Sequence, residues 1–254
     1  MLHCWRGGIR SQSFAWLLST AGFKVYTLKK GYKAYRDLLL NSFNNRADII
    51  VLGGMTGSGK TDILRYLSKS GNQVLDLEEI ANHKGSAFGH LGQEQQPTTE
   101  QFQNDLYDTW RKFDMNKPIW IEDESQAIGS VRIPDPLFLL MRSSPVIKIE
   151  ISREIRAKRL VKEYASFSNE QLRKAILGIE KRLGGLNTKK AITALEEQDH
   201  LSVANITLQY YDKAYNYGIS KRDTDSIFPI RFGKDDPRQN AKHIEKFVRK
   251  VNSN

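Results

Sequence analysis

The chain has 254 residues, 39% of them hydrophobic and 27% charged, with a formal net charge of +10 and a single cysteine. That composition suits one large or two modest folded domains and excludes an internal disulfide or a thiolate zinc cluster. No apolar run approaches the roughly 20 residues of a membrane span, and Trp5-Arg6-Gly7-Gly8-Ile9-Arg10 breaks any signal-peptide core. The expected compartment is the cytoplasm, with no membrane partner.

Residues 1–46 hold 8 lysines and arginines against 1 acid, residues 47–147 hold 9 against 14, and residues 148–254 hold 22 against 14. Basic ends around a mildly acidic middle suit a polyanion such as RNA approaching the ends. Lysines that only keep the protein soluble would leave the same pattern.

Residues 1–39 read as strand end, loop, helix, strand and loop. Ser11 and Ser13 are candidate N-caps, Phe14, Leu17 and Leu18 form a helical stripe, and Gly22 sits where a C-cap glycine belongs. Phe23–Leu28 alternates like a strand. A segment of about 40 residues buries too little surface to fold alone, and two short parallel strands leave open edges. Residues 1–40 are therefore expected to be part of a larger domain, closed off by a polar linker over 41–47.

From Asp48 to the end at 254 the pattern is that of a second domain. Ile49–Leu52, Gln73–Leu77, Ile119–Ile121 and Val146–Ile151 are short apolar strands, alternating with helical stretches near 60–70, 98–113, 134–142 and 152–164. Such alternation predicts an α/β fold, a P-loop NTPase-like parallel sheet with helices on both faces. Consecutive helices over 168–217, a late strand at Ile227–Ile230 and a closing helix near 236–252 complete it.

Gly54-Met55-Thr56-Gly57-Ser58-Gly59-Lys60-Thr61 satisfies G-x-x-x-x-G-K-[ST] between a buried strand and a helix. Gly54, Gly57 and Gly59 let the backbone wrap a phosphate, and Ser58 contributes its amide. Lys60 neutralises phosphate oxygens, and Thr61 would ligate Mg²⁺ if one binds. After the Ile119–Ile121 strand come Glu122 and Asp123, where a Walker-B acid would hold that ion; Asp123 is the first choice. Acids that only cap the next element would look the same.

Asp76 to Gly89 follows the second strand at the end of the sheet that faces ligands in such folds. Glycines and Ser86 around His83 and Phe88 predict a mobile binding loop rather than a core element. His83 is expected to orient or bind before it transfers protons. Cys4 opens a loop with Arg6, Gly7, Gly8 and Arg10; converging amides and two arginines would lower its thiol pKa.

The chain resembles the tRNA 2-selenouridine synthases, which join a rhodanese-like domain to a P-loop domain. The matching stretches are Cys4–Ser11, Gly31–Arg36, the phosphate loop, Leu77-Glu78 through Ala81-Asn82-His83-Lys84-Gly85-Ser86-Ala87-Phe88-Gly89, Ile121–Ser125 and Lys181–Gly185. Most of the family's rhodanese part is absent, so residues 1–40 are expected to be its C-terminal remnant. A mis-started gene model, a degenerate protein or a separate rhodanese half as partner would account for that.

The resemblance implies exchange of sulfur for selenium in the wobble 2-thiouridine of a tRNA. Selenophosphate and geranyl diphosphate serve as co-substrates, and the geranyl group goes to the 2-thio sulfur. On that resemblance the catalytic residues are Cys4, Arg6 and Arg10. The phosphate loop takes the prenyl diphosphate, and Glu78, Asn82, His83, Ser86, Phe88 and Gly89 form the substrate loop. The basic stretches give Arg153, Arg156, Arg159, Lys181 and Arg182 as RNA contacts, with some of these arginines alternatively forming a lid over the phosphate loop. A P-loop kinase of a nucleoside or small alcohol, and a non-catalytic tRNA- or diphosphate-binding subunit, are the competing readings.

Overall fold

The computed structural model describes residues 1–251, and the chain divides into two compact units after Arg46. The last residue of the closing helix expected over 236–252 lies outside the described residues, as does the end of the expected 48–254 domain.

In the first unit, α1 (Ile9–Thr20) starts from Gly8, so Ser11 and Ser13 lie inside the helix and neither caps it. Only a single parallel bridge, Leu2 with Thr27, stands where a strand over Phe23–Leu28 is expected. Residues read as loop and linker form α2 (Gly31–Ser42). Its glycine start hid it, but Ala34 and Leu38–Leu40 favour helix, and Lys33 pairs with Asp37 one turn on, at 3.3 Å.

In the second unit, four successive apolar residues open β1 (Ile49–Gly54), which is buried throughout. Then come α3 (Lys60–Lys69), β2 (Gln73–Leu75), a short α4 (Leu77–Ala81), α5 (Thr99–Trp110) and β3 (Ile119–Glu122). A small hairpin of β4 (Ala127–Ile128) and β5 (Val131–Arg132) precedes α6 (Asp135–Ser143) and β6 (Val146–Ile151). Five helices follow: α7 (Arg153–Tyr164), α8 (Asn169–Gly178), α9 (Glu180–Leu183), α10 (Gly185–Glu196) and α11 (His200–Ile219). The described chain ends with β7 (Ile227–Phe232) and α12 (Pro237–Val251).

The sheet order is β2-β3-β1-β6-β7, with every pairing parallel. This is the α/β, P-loop NTPase-like architecture that the alternation predicts. Ile50, Leu52, Trp120 and Ile149 pack against Ile63, Leu64 and Leu67 of α3 and Ile244 of α12. A second core, among α8, α10 and α11, holds Leu172, Ile176, Ala191, Leu195 and Val203. Ala157 of α7 meets Ala204 and Leu208 of α11. Central β1 thus delivers the glycine loop to the C-terminal edge of the sheet, beneath the helical segment.

Candidate functional site

The glycine loop leaves β1 and turns into α3. Gly57 and Gly59 have φ of +78° and +83°, a region that glycine enters at little cost. Arg156 reaches across to donate to the Thr56 carbonyl at 3.2 Å. Lys60 Nζ donates to the Gly54 carbonyl at 3.0 Å, which folds the ammonium over the loop. The Ser58 hydroxyl is buried without a partner. Free amides at the start of α3, a cation and an unpaired hydroxyl around one hollow make a cradle suited to phosphate oxygens.

Thr61 Oγ1 donates to Glu78 Oε2 at 2.8 Å. Burial raises the Glu78 pKa against the opposing pull of Lys60 and the Thr61 hydrogen bond. Glu122 is fully buried and accepts from the Leu77 amide at 2.9 Å through Oε2, while Oε1 has no partner. Burial, then the charges of Asp76 and Glu78, hold its pKa well above the ordinary carboxyl range. Asp123 is engaged elsewhere: its Oδ1 accepts from Arg222 at 2.7 Å in a pair whose side chains are 8% and 1% exposed. The carboxylate bonded to Thr61 is therefore Glu78; Asp123 lines the same cavity but is held by Arg222, and Glu122 is not among the lining residues. Among the described residues no three His, Cys, Asp or Glu side chains group as a metal site.

Glu124 was not anticipated. Burial first, and then Glu78, push its carboxyl from an ordinary 4.5 to about 8, with Lys60 opposing. Its oxygens pack so closely on Gly85 that a Cβ there would stand 2.7 Å away. The signal that finds it is its place in the acidic run Glu122-Asp123-Glu124 that closes an apolar strand, at the end of the sheet that carries the glycine loop.

The loop after α4 is anchored rather than mobile. Asn82 caps α4 in the left-handed region and donates to the Gln95 carbonyl at 3.2 Å. The Lys84 amide donates to the Gly89 carbonyl, and Ser86 Oγ accepts from the Phe88 amide. Phe88 is buried in the second core, 5.7 Å from the Tyr164 ring, so it fastens the loop to the helices. His83 is 7% exposed; burial, then His90, lowers its pKa, and Nδ1 is unpaired. A Cβ on Gly89 or Gly129 would come within 2.9 Å of its ring.

The expected RNA contacts separate into distinct roles. Arg156, 3% exposed, is locked onto Asp212 by two hydrogen bonds of 2.7 and 2.8 Å, so it braces the glycine loop against α11. Arg159 bonds Asp62 and Asp235 and lies over Gly59, where a Cβ would be 3.3 Å from its guanidinium. Arg153 donates to the Asn205 carbonyl. Lys181 is exposed, and the exposed Arg182 donates to Tyr210 Oη at 3.0 Å. The glycine loop, Glu78, His83, Ser86, Glu124, Arg159 and Arg182 share one cavity of about 1510 Å³.

In the first unit, Cys4 Sγ lies 3.2 Å from Ser11 Oγ. That hydroxyl first, with the Ser11, Gly8 and Arg6 amides helping against burial, lowers the thiol pKa to about 6. The amides act as expected, but Arg6 and Arg10 are exposed and their guanidinium charges are not among the causes. Ser11, read from sequence as a cap, is the thiol's main partner. Gly31 has a φ of +69°, and a Cβ there would stand 2.3 Å from the Cys4 carbonyl, so this closure requires glycine.

Residues 47–239 match the family model described as the tRNA 2-selenouridine synthase AAA domain. The chain belongs to the tRNA 2-selenouridine synthase family. A tRNA 2-selenouridine synthase of Bordetella petrii is 36% identical, over 89% of this chain and 69% of its own length. One from Sulfurovum is 33% identical over 98% and 74%, and one from Psychromonas ingrahamii 32% over 87% and 68%. Among the described residues no helix is long and apolar enough to cross a membrane.

Proposed function

We propose that this chain exchanges sulfur for selenium in the wobble 2-thiouridine of tRNA. The single observation that carries the reading is the shared cavity, where a phosphate cradle faces the His83–Gly89 loop and a wall of basic and aromatic side chains, in a member of this family. In the first step the 2-thio sulfur attacks C1 of geranyl diphosphate and the diphosphate leaves. Lys60, the amides of residues 59–61 and the unpaired Ser58 hydroxyl take up its charge. The sulfur then departs as a neutral thiol when the selenium of selenophosphate attacks ring C2, and water accepts the phosphoryl group.

Glu124, which retains a proton near neutral pH, is placed to protonate the departing group. His83, buried and neutral, orients the loop. A magnesium ion fits Thr61 and Glu78 better than Thr61 and Asp123, because Arg222 already neutralises Asp123. Bound there, it would add positive charge beside the diphosphate. Cys4, acid-shifted by Ser11, assists the selenium step in this reading, and residues 1–40 are the end of a rhodanese-like domain. The cytoplasm is its compartment.

The test incubates an anticodon stem-loop carrying 2-thiouridine with the protein, geranyl diphosphate and selenophosphate, and reads nucleosides by mass spectrometry. Geranylated or selenated nucleoside is expected. Lys60→Ala should weaken geranyl diphosphate binding by roughly 10- to 100-fold, the loss of a charge-assisted contact. Undiminished geranylation by that variant, or a phosphorylated product formed from ATP, would overturn the reading.

A further inference from the structure

The basic residues around the cavity are not equivalent. Arg156 and Arg159 are each neutralised by aspartates, whereas no carboxylate bonds Arg182 among the described residues. Its partner is a phenol: Arg182 Nη1 donates to Tyr210 Oη at 3.0 Å. Tyr210 is half-buried on α11, its ring centroid 5.0 Å from that of Tyr211. Tyr211 is fixed in turn, because its hydroxyl accepts from the Ala87 amide at 3.0 Å. The Tyr210 ring is thus held at its hydroxyl by an unneutralised guanidinium and lies beside Tyr211, which the His83–Gly89 loop fixes. A Cβ on Gly178, four residues before Arg182 and also in the cavity wall, would meet nothing within 4 Å, so the wall is open at that point.

A rigid aromatic face beside a free guanidinium is the combination on which unstacked bases lie. The ring offers stacking to any base, and the cation meets the adjoining phosphate. A base in a loop must be splayed out of its stack before an enzyme reaches its ring atoms. We infer that Tyr210, positioned by Arg182, is the stacking platform for the reacting nucleobase, which it presents to the phosphate cradle across the same cavity. This rests on the RNA reading proposed above. Arg182 acts through Tyr210 and through the backbone phosphate, and Tyr210 touches the base.

The experiment measures dissociation constants of the whole protein for two end-labelled anticodon stem-loops, one with 2-thiouridine at the wobble position and one abasic there. The wild type should bind the intact RNA about tenfold tighter, the scale of one base–aromatic stack. Tyr210→Ala should remove that ratio and leave abasic binding unchanged, while Tyr210→Phe, which keeps the ring and gives up the Arg182 hydrogen bond, should retain only part of it. Tyr210→Leu, which keeps apolar bulk without a π face, should also lose the ratio. Variants without the ring that retain the ratio, or that weaken both RNAs equally, overturn the platform. Equal binding of both RNAs by the wild type also overturns it while the RNA reading stands. No binding of either RNA by a wild type that still binds pyrophosphate overturns the RNA reading itself.

Discussion

Where β3 ends, the two faces of one sheet treat neighbouring carboxylates in opposite ways. Glu122, on the α3 face, is fully buried, has one amide partner, and keeps a raised pKa. Asp123 points to the other face, where Arg222 bonds it and also donates to the carbonyls of Met141 and Arg142 at 2.8 and 3.0 Å. Neutralised charge there ties α6 and the segment after α11 to the sheet. On the α3 face uncompensated acids crowd Lys60 and Thr61, where protons or a cation are the natural counter-charge. Residue type alone does not separate structural from functional acids; the compensating charge does.

Removing the cation is the strongest way to break this contrast. Arg222→Met leaves Asp123 buried without its partner and should destabilise the protein by about 3–5 kcal/mol in urea unfolding at pH 7. Adding Asp123→Asn should recover a large part of that loss. A loss below about 1 kcal/mol would show that water already compensates Asp123.

A pH profile of stability sharpens the other side. The Glu124 carboxyl titrates near 8 in the folded protein against an ordinary 4.5, so between those values the folded state holds a proton that the unfolded chain has released. Stability from this group is therefore present below about pH 4.5, falls as pH rises, and levels off above about 8. Discounted for partial exposure, the total is about 1–2 kcal/mol. Glu124→Gln should flatten that slope. A slope identical in the two proteins would place the proton on another acid.

The sequence shows most where the determinants are consecutive. Strand, glycine spacing and Lys60-Thr61 fall within 13 residues, from Ile49 to Thr61, and the α/β sheet follows from the alternation of apolar strands with helices. It shows least where a partner is remote. Arg156 reads as an RNA contact because Asp212 stands 56 positions away. Asp123 reads as a metal ligand because Arg222 is 99 positions on. Phe88 sits among glycines and Ser86 that suggest mobility, yet its burial comes from helices far along the chain. The α4 turn and the β4–β5 hairpin are too short to carry a periodicity.

The smallest expected effect is also the most discriminating for Glu122. A protonated Glu122 resembles glutamine in shape, and a glutamine Oε1 can still accept from the Leu77 amide. Glu122→Gln should therefore change stability by less than about 1 kcal/mol near pH 4, where the folded and unfolded chains both hold the proton. Because the folded-state pKa is raised, only the wild type loses stability as pH rises from the ordinary carboxyl range toward the folded-state value, so the variant should gain relative stability over that range and hold the gain above it. Parallel urea titrations at about pH 4, 5.5 and 7 would read this. A large loss at pH 7 with no relative gain between pH 4 and 7 would mean that Glu122 is ionised in the fold and that a cation compensates it. The α3 face would then hold a neutralised acid like Asp123, and the contrast between the two faces would disappear.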